Sequence, residues 1–185
     1  MGAGTRSHPP TCYFTGGKNP MLRFDKLTIK AQEAFEAARE QAARLSHQQI
    51  EPLHLLSGLL AQPEGIVPAV LNRLGVRSEM LATELARQLE LLPKVTGLAQ
   101  QYLSAASEKV LHGAFDEAAK FKDEFVSTEH ILLAIAALES DPAAQLLKRK
   151  GANYEAILQA LTAVRGSQRV TSPTPESTYR ALEQY

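Results

Sequence analysis

Two histidines, His54 and His130, stand in the same local setting, each near the start of an apolar run (IEPLHLLSGLL and VSTEHILLAIA). Imidazoles at matched places suggest a metal ligand or a proton shuttle. Zinc needs three or four converging ligands, and neighbouring side chains such as Glu129 and His130 do not face the same way on a helix. No third ligand has suitable spacing, so both histidines read as packed or hydrogen-bonded groups near a helix start. His47 and His112 read as isolated surface residues. Asp116, Glu117, Asp123 and Glu124 could supply paired carboxylates for acid–base work. Lys120 and Lys122 are interleaved with them, which favours a solvated helix face. Phosphate-loop, nucleophile-elbow, H-E-x-x-H and paired C-x-x-C motifs are all missing from the sequence,. The chain therefore reads as non-enzymatic, without a catalytic residue, metal or cofactor of its own.

The elements that would position these residues occur twice. Displaced by 76 residues, the stretch Leu27 to Leu89 aligns without a gap on Leu103 to Arg165. His54 falls on His130, Leu56 on Leu132, Gly75 on Gly151 and Leu85 on Leu161. Self-similarity at a fixed period indicates a repeated structural unit. Within the first copy, Leu27, Ala31, Ala34, Phe35, Ala38, Ala42 and Leu45 form one apolar helical stripe, with Thr28 as its N-cap. Ser104 caps the equivalent helix. Pro52 suits a first helical position, Ser127 can cap the second copy of that helix, and Asp141-Pro142 is a cap followed by proline. Gly75 and Gly151 lie just beyond a third helix in each copy, where a left-handed residue ends it. Fourth helices open near Ser78 and Asn153, and stop before Pro93 and near Gly166. The predicted fold is all-α: two tandem pseudo-symmetric four-helix repeats, about 27–92 and 103–166, forming one compact eight-helix domain.

Residues 1–20 are rich in Gly, Pro and Thr, lack acidic residues and have no apolar core of the kind a secretory signal needs,. They read as a disordered leader, a cloning remnant or an overcalled start, with the domain at 21–166. Residues 167–185 read as a linker leading to a further domain, with Gly97 at a turn between the repeats. Twenty basic residues balance twenty acidic ones, so charge favours neither nucleic acid nor an anionic membrane. No apolar run of about 18 residues is long enough to span a bilayer. The lone Cys12 excludes an internal disulfide and fits a reducing, cytoplasmic setting,.

At MLRFDKLTIKAQEAF, IEPLHLLSGLL, the Leu-Gly helix end and TEHILLAIAALE, the sequence resembles the N-terminal domain of Clp-family AAA+ unfoldases, over about Met21–Gly166. The FDKLT start and the ALEQY tail are most similar to the ClpB-type disaggregase. The resemblance implies a domain that captures unfolded or aggregated polypeptide for delivery to a hexameric ATPase ring. ATP and magnesium would then belong to the parent protein, a homohexamer, while the isolated domain would be monomeric. Adaptor proteins or a cooperating chaperone system are further implied partners, and adaptor docking, as in ClpA- and ClpC-type regulators, is the alternative role. The family's functional positions fall on Thr28, Asp123 and Glu129, each of which also has a plain structural reading. Its apolar groove falls on Gly113, Glu117 and His130, none a large hydrophobe. This departure leaves Leu111, Phe115 and Phe125 as groove candidates, or a different mode of client binding.

Overall fold

The computed structural model describes residues 23–97 and 100–175. Positions 1–20, with His8 and Cys12, and the ALEQY tail lie outside them. A 3-10 turn at Phe24–Lys26 precedes α1 (Ile29–Arg44), β1 (Gln49–Ile50), α2 (Pro52–Leu60), α3 (Ile66–Arg73) and α4 (Ser78–Glu90). Then follow β2 (Tyr102–Leu103), α5 (Ala105–Lys120), α6 (Thr128–Ala137), α7 (Pro142–Arg149) and α8 (Tyr154–Arg165). The two four-helix repeats of the sequence are thus present.

Local chemistry sets the helix ends. Thr28 Oγ1 accepts from Ala31 N at 3.2 Å, and Ser104 Oγ accepts from Ser107 N at 3.1 Å. Asp141 and Asn153 cap α7 and α8 through Ala143 N and Ala156 N. Gly75 and Gly151 adopt φ of 75° and 86°, a conformation that a side chain resists.

Every residue of α6 from Thr128 to Ala136 is buried, and so is most of α2. A helix apolar on all sides belongs in the centre; these two pack on each other, with α1 across α2 and α5 across α6. The α1–α2 crossing is so close that a Cβ on Gly58 would overlap the Ala34 carbonyl oxygen. In the second repeat the small residue moves to the partner helix, where Gly113 of α5 faces Ala134 of α6.

The repeats are joined reciprocally. Thr28 N donates to Val126 O at 2.9 Å, and its symmetry mate Ser104 N donates to Ile50 O at 3.1 Å. One contact extends into the parallel β1–β2 pair and the other is the isolated bridge Leu27–Val126. Exchanging the same surface in both directions is the hallmark of an isologous interface. The sequence did not announce these strands, because two residues are too few to show alternation.

Residues 167–175, expected to be linker, instead fold back on the helices. Glu124 N donates to Val170 O at 2.9 Å and Ile29 N to Pro173 O at 2.9 Å, while the Arg169 guanidinium donates to Lys122 O. Val170 is fully buried. A composition that looks unstructured becomes ordered here through backbone bonds to the body of the domain.

Candidate functional site

The residues that the resemblance singled out gather around the turn after α5. That helix ends in a Schellman turn: Lys122, at φ 57°, bonds Ala119 O, and Asp123 N bonds Ala118 O,. The left-handed residue swings the chain inward and buries the Asp123 side chain completely. Asp123 Oδ2 accepts from His130 Nε2 at 2.8 Å and pairs with Arg165 Nη1 at 2.9 Å. Its Oδ1 accepts from Arg165 Nη2 at 2.9 Å and from Val170 N at 2.8 Å. Arg165 thus grips both carboxylate oxygens, a forked geometry that strengthens the pair. Burial alone would raise the Asp123 pKa, but the bonds from His130, Arg165 and Val170 outweigh it and hold the group at about 2,.

His130 is fixed from its other side. Ser127 N donates to His130 Nδ1 at 2.9 Å, so Nδ1 is the acceptor and Nε2 carries the proton given to Asp123,. His130 fills the third helical position of a capping box with Ser127, a place more often held by Glu or Gln,. Glu129 is buried beside it, its carboxylate 3.7 Å from Arg165. Thr28, also buried, reaches the same turn through its backbone bond to Val126.

The structure therefore brings Thr28, Asp123 and Glu129 together as a buried scaffold and not as an exposed patch. The reading of the acidic cluster as a solvated face needs correction for two members. Asp123 lies beyond the helix, in an inward turn, and Glu117 points to the Tyr154 hydroxyl, which donates to it at 3.0 Å. Asp116 and Glu124 are exposed as expected.

Of the groove candidates, Leu111 is buried, whereas Phe115 and Phe125 are half-buried. Lys26 Nζ sits 5.4 Å from the Phe125 ring centroid. A cleft of about 420 Å3 opens nearby between α5, α6, α7 and α8, with Glu117, Lys120, Ala136, Ala144, Lys148 and Tyr154 in its walls. Of the three positions assigned to the apolar groove, only Glu117 lines it; Gly113 packs on Ala134, and His130 lies in the buried turn. The cleft is accordingly mixed, lined by alanines and by charged side chains.

The first repeat corrects another expectation. His47, read as an isolated surface residue, is 2% exposed and its Nδ1 lies 2.9 Å from His54 Nε2. It occupies the position of Asp123, after the same turn, in which Ser46 has φ 60° and His47 N bonds Ala42 O. His54 repeats the role of His130, accepting from Glu51 N at 2.9 Å. Burial, with the neighbouring His47 second, lowers its pKa to about 4. His112 is exposed, as read.

Sequence reasoning also missed Arg165, Tyr154 and Val170. Only Arg165 left a trace: it aligns with Leu89, itself 1% exposed, so a charge stands where the repeat demands an apolar core residue. Among the described residues, no group of three or more His, Cys, Asp or Glu could hold a metal, and no helix is long and apolar enough to cross a membrane.

Two symmetric four-helix repeats around a buried helix pair define a helical double-repeat module. The chain belongs to the family described as the Clp repeat (R) N-terminal domain, which matches residues 26–150. It is 39% identical over 164 residues to the chaperone protein ClpB of Rhodopirellula baltica, covering 89% of this chain and 18% of that protein. The chain thus spans about a fifth of the length of the relatives it matches. In structure it is similar to the Hsp104 N-terminal domain from Candida albicans, with a TM-score of 0.70 at 23% identity, covering 82% of this chain and 99% of that one. It also resembles the ClpV N-domain in complex with a VipB peptide, with a TM-score of 0.63 at 17% identity, covering 81% and 94% of the two chains. At these identities the two structures establish the shared fold.

Proposed function

We propose that this chain is the non-catalytic client-binding domain of an ATP-dependent protein disaggregase, capturing unfolded or aggregated polypeptide for an AAA+ ring. The family match, with ClpB proteins among the relatives, is the observation that carries the reading. The cleft walled by Glu117, Lys120 and Tyr154, with Phe115 half-buried on α5, supplies the contact surface. Thr28, Asp123 and Glu129 act through it: they fix the turn and helix start that set its neighbour α6, and do not themselves touch the client. Leu111, buried beneath, supports the same face. Several weakly binding copies on one ring would gain in effective concentration what each lacks in affinity.

Adaptor docking is the second reading, favoured by the charged walls of the cleft, which suit a folded polar partner better than a greasy segment. The test is titration of the purified chain into a fluorescently labelled, permanently unfolded protein. Weak, ATP-independent binding that drops in Tyr154→Ala is expected. Absence of binding at high micromolar concentration, together with full disaggregation by a parent protein lacking this domain, would refute it.

A further inference from the structure

The turn that Asp123 fills in the second repeat is covered by a returning segment of the chain itself. Val170 N donates to Asp123 Oδ1 and Val170 O accepts from Glu124 N. The counterparts of Asp123 and Glu124 in the first repeat are His47 and Gln48. There the chain leaving α4 crosses differently, with Val95 N bonded to Ser46 O at 2.8 Å. Beside it remains a cleft of about 260 Å3, walled by His47, Gln48, Glu51, Leu92, Val95 and Tyr102.

The hydrogen-bonding capacity of this cleft follows from the tautomers. Glu51 N donates to His54 Nδ1, so neutral His54 carries its proton on Nε2 and gives it to His47 Nδ1,. Neutral His47 must then be protonated on Nε2. That buried N–H has no acceptor within hydrogen-bonding distance among the described residues. A buried unpaired donor is unfavourable relative to a bonded one, so a ligand that supplies an acceptor is favoured. The replacement of Asp123 by His47 has turned an acceptor into a donor.

We propose that the first-repeat cleft is a second polypeptide-binding site, which takes an extended apolar segment of a client and bonds one of its backbone carbonyls to His47 Nε2. The segment in the second repeat shows the pattern: an irregular stretch bonded to the turn through its backbone, with a buried β-branched residue, Val170. Leu92 and Val95 line the cleft and Pro93 lies beside them, while Tyr102 and Leu91 are exposed, at 45% and 85%. Glu51 in the wall disfavours a carboxylate, and the neighbouring Lys94 is already engaged by Glu90 at 2.8 Å. A neutral carbonyl is the acceptor that fits. This site stands on a different repeat from the cleft of the proposed function, and the choice of a client as its occupant rests on that reading.

The test is an NMR titration of the 15N-labelled chain with the peptide acetyl-Leu-Val-Ala-Val-Leu-amide. Expected are shifts of the His47 Nε2 and Gln48 amide signals, saturating together, with affinity lowered roughly five- to tenfold in His47→Asp, as loss of one hydrogen bond implies. Should that variant fail to fold, as judged by circular dichroism, Tyr102→Ala at the exposed rim must weaken the same titration. Shifts confined to Glu117 and Tyr154 would leave the proposed function standing and overturn this site. Binding only of a peptide with a free C-terminal carboxylate would overturn the carbonyl assignment.

Discussion

The two helix-terminal turns share a backbone and differ in their closure. Both begin with a left-handed residue, Ser46 or Lys122, and both present the next side chain to a capping-box histidine. In the first repeat that side chain is His47 and the helix behind it carries Leu89. In the second it is Asp123, and Arg165 replaces the leucine. One turn is closed by a neutral hydrogen-bonded pair, the other by a buried ion network that also recruits Val170. Duplication fixed the scaffold; exchanging two side chains then determined which turn could hold the chain's own C-terminal segment.

The largest expected effect comes from erasing that exchange. Arg165→Leu installs the first-repeat residue and leaves the Asp123 carboxylate buried without its cation. Breaking a buried pair from one side costs about 3–5 kcal/mol, so urea unfolding should show a loss near that size. A loss below roughly 1 kcal/mol would mean that Arg165 does not close the turn.

Acid should separate the turns by pH. His54, at about 4 in the folded chain against an ordinary 6.5, takes up its proton more readily when unfolded. Its contribution is therefore complete above about 6.5 and is lost as pH falls through 4. Asp123, at about 2 against 3.8, contributes above 3.8 and loses its effect only as pH falls toward 2,. The effects are on the order of 3 kcal/mol for His54 and 2 kcal/mol for Asp123,. His54→Gln, which keeps the capping box without a titrating group, should reduce the slope of the upper window alone in thermal melts taken across pH, leaving the part owed to His47, which burial also lowers. An unchanged slope between pH 6.5 and 4 in that variant would remove His54 as its source.

The smallest effect is one in which the repeats should agree. Gly75 and Gly151 share the left-handed helix end, and neither has a heavy atom within 4 Å of where a Cβ would sit. Valine at either should cost about 1 kcal/mol through backbone conformation alone. Wild-type-like melting of Gly151→Val, or a clear inequality with Gly75→Val, would break the equivalence.

The legible part of the fold was the local part. Thr28, Ser104, Pro52, Asp141 and the two glycines act within a few residues, so their types and spacing announce the helices they bound. The apolar stripe and the repeat of 76 residues placed the core for the same reason. The turns were not legible because their partners are remote: Asp123 meets Arg165 42 positions away and Val170 47 away. Charge interleaving is a rule about helix faces and does not govern a residue just past the helix end. His47 read as surface because its burial depends on His54 and on the chain returning from α4.

The returning segment at 167–175 has a mechanical consequence. Tension applied at its far end would meet the anchorages in reverse chain order: the Pro173–Ile29 bond first, then Val170 with its bonds to Asp123 and Glu124, then the Arg169 grip on Lys122, and α8 last. A tug would release the segment in steps, and the second step would be the first to strip a hydrogen bond from Asp123. That order lets the segment lengthen somewhat before any helix is disturbed.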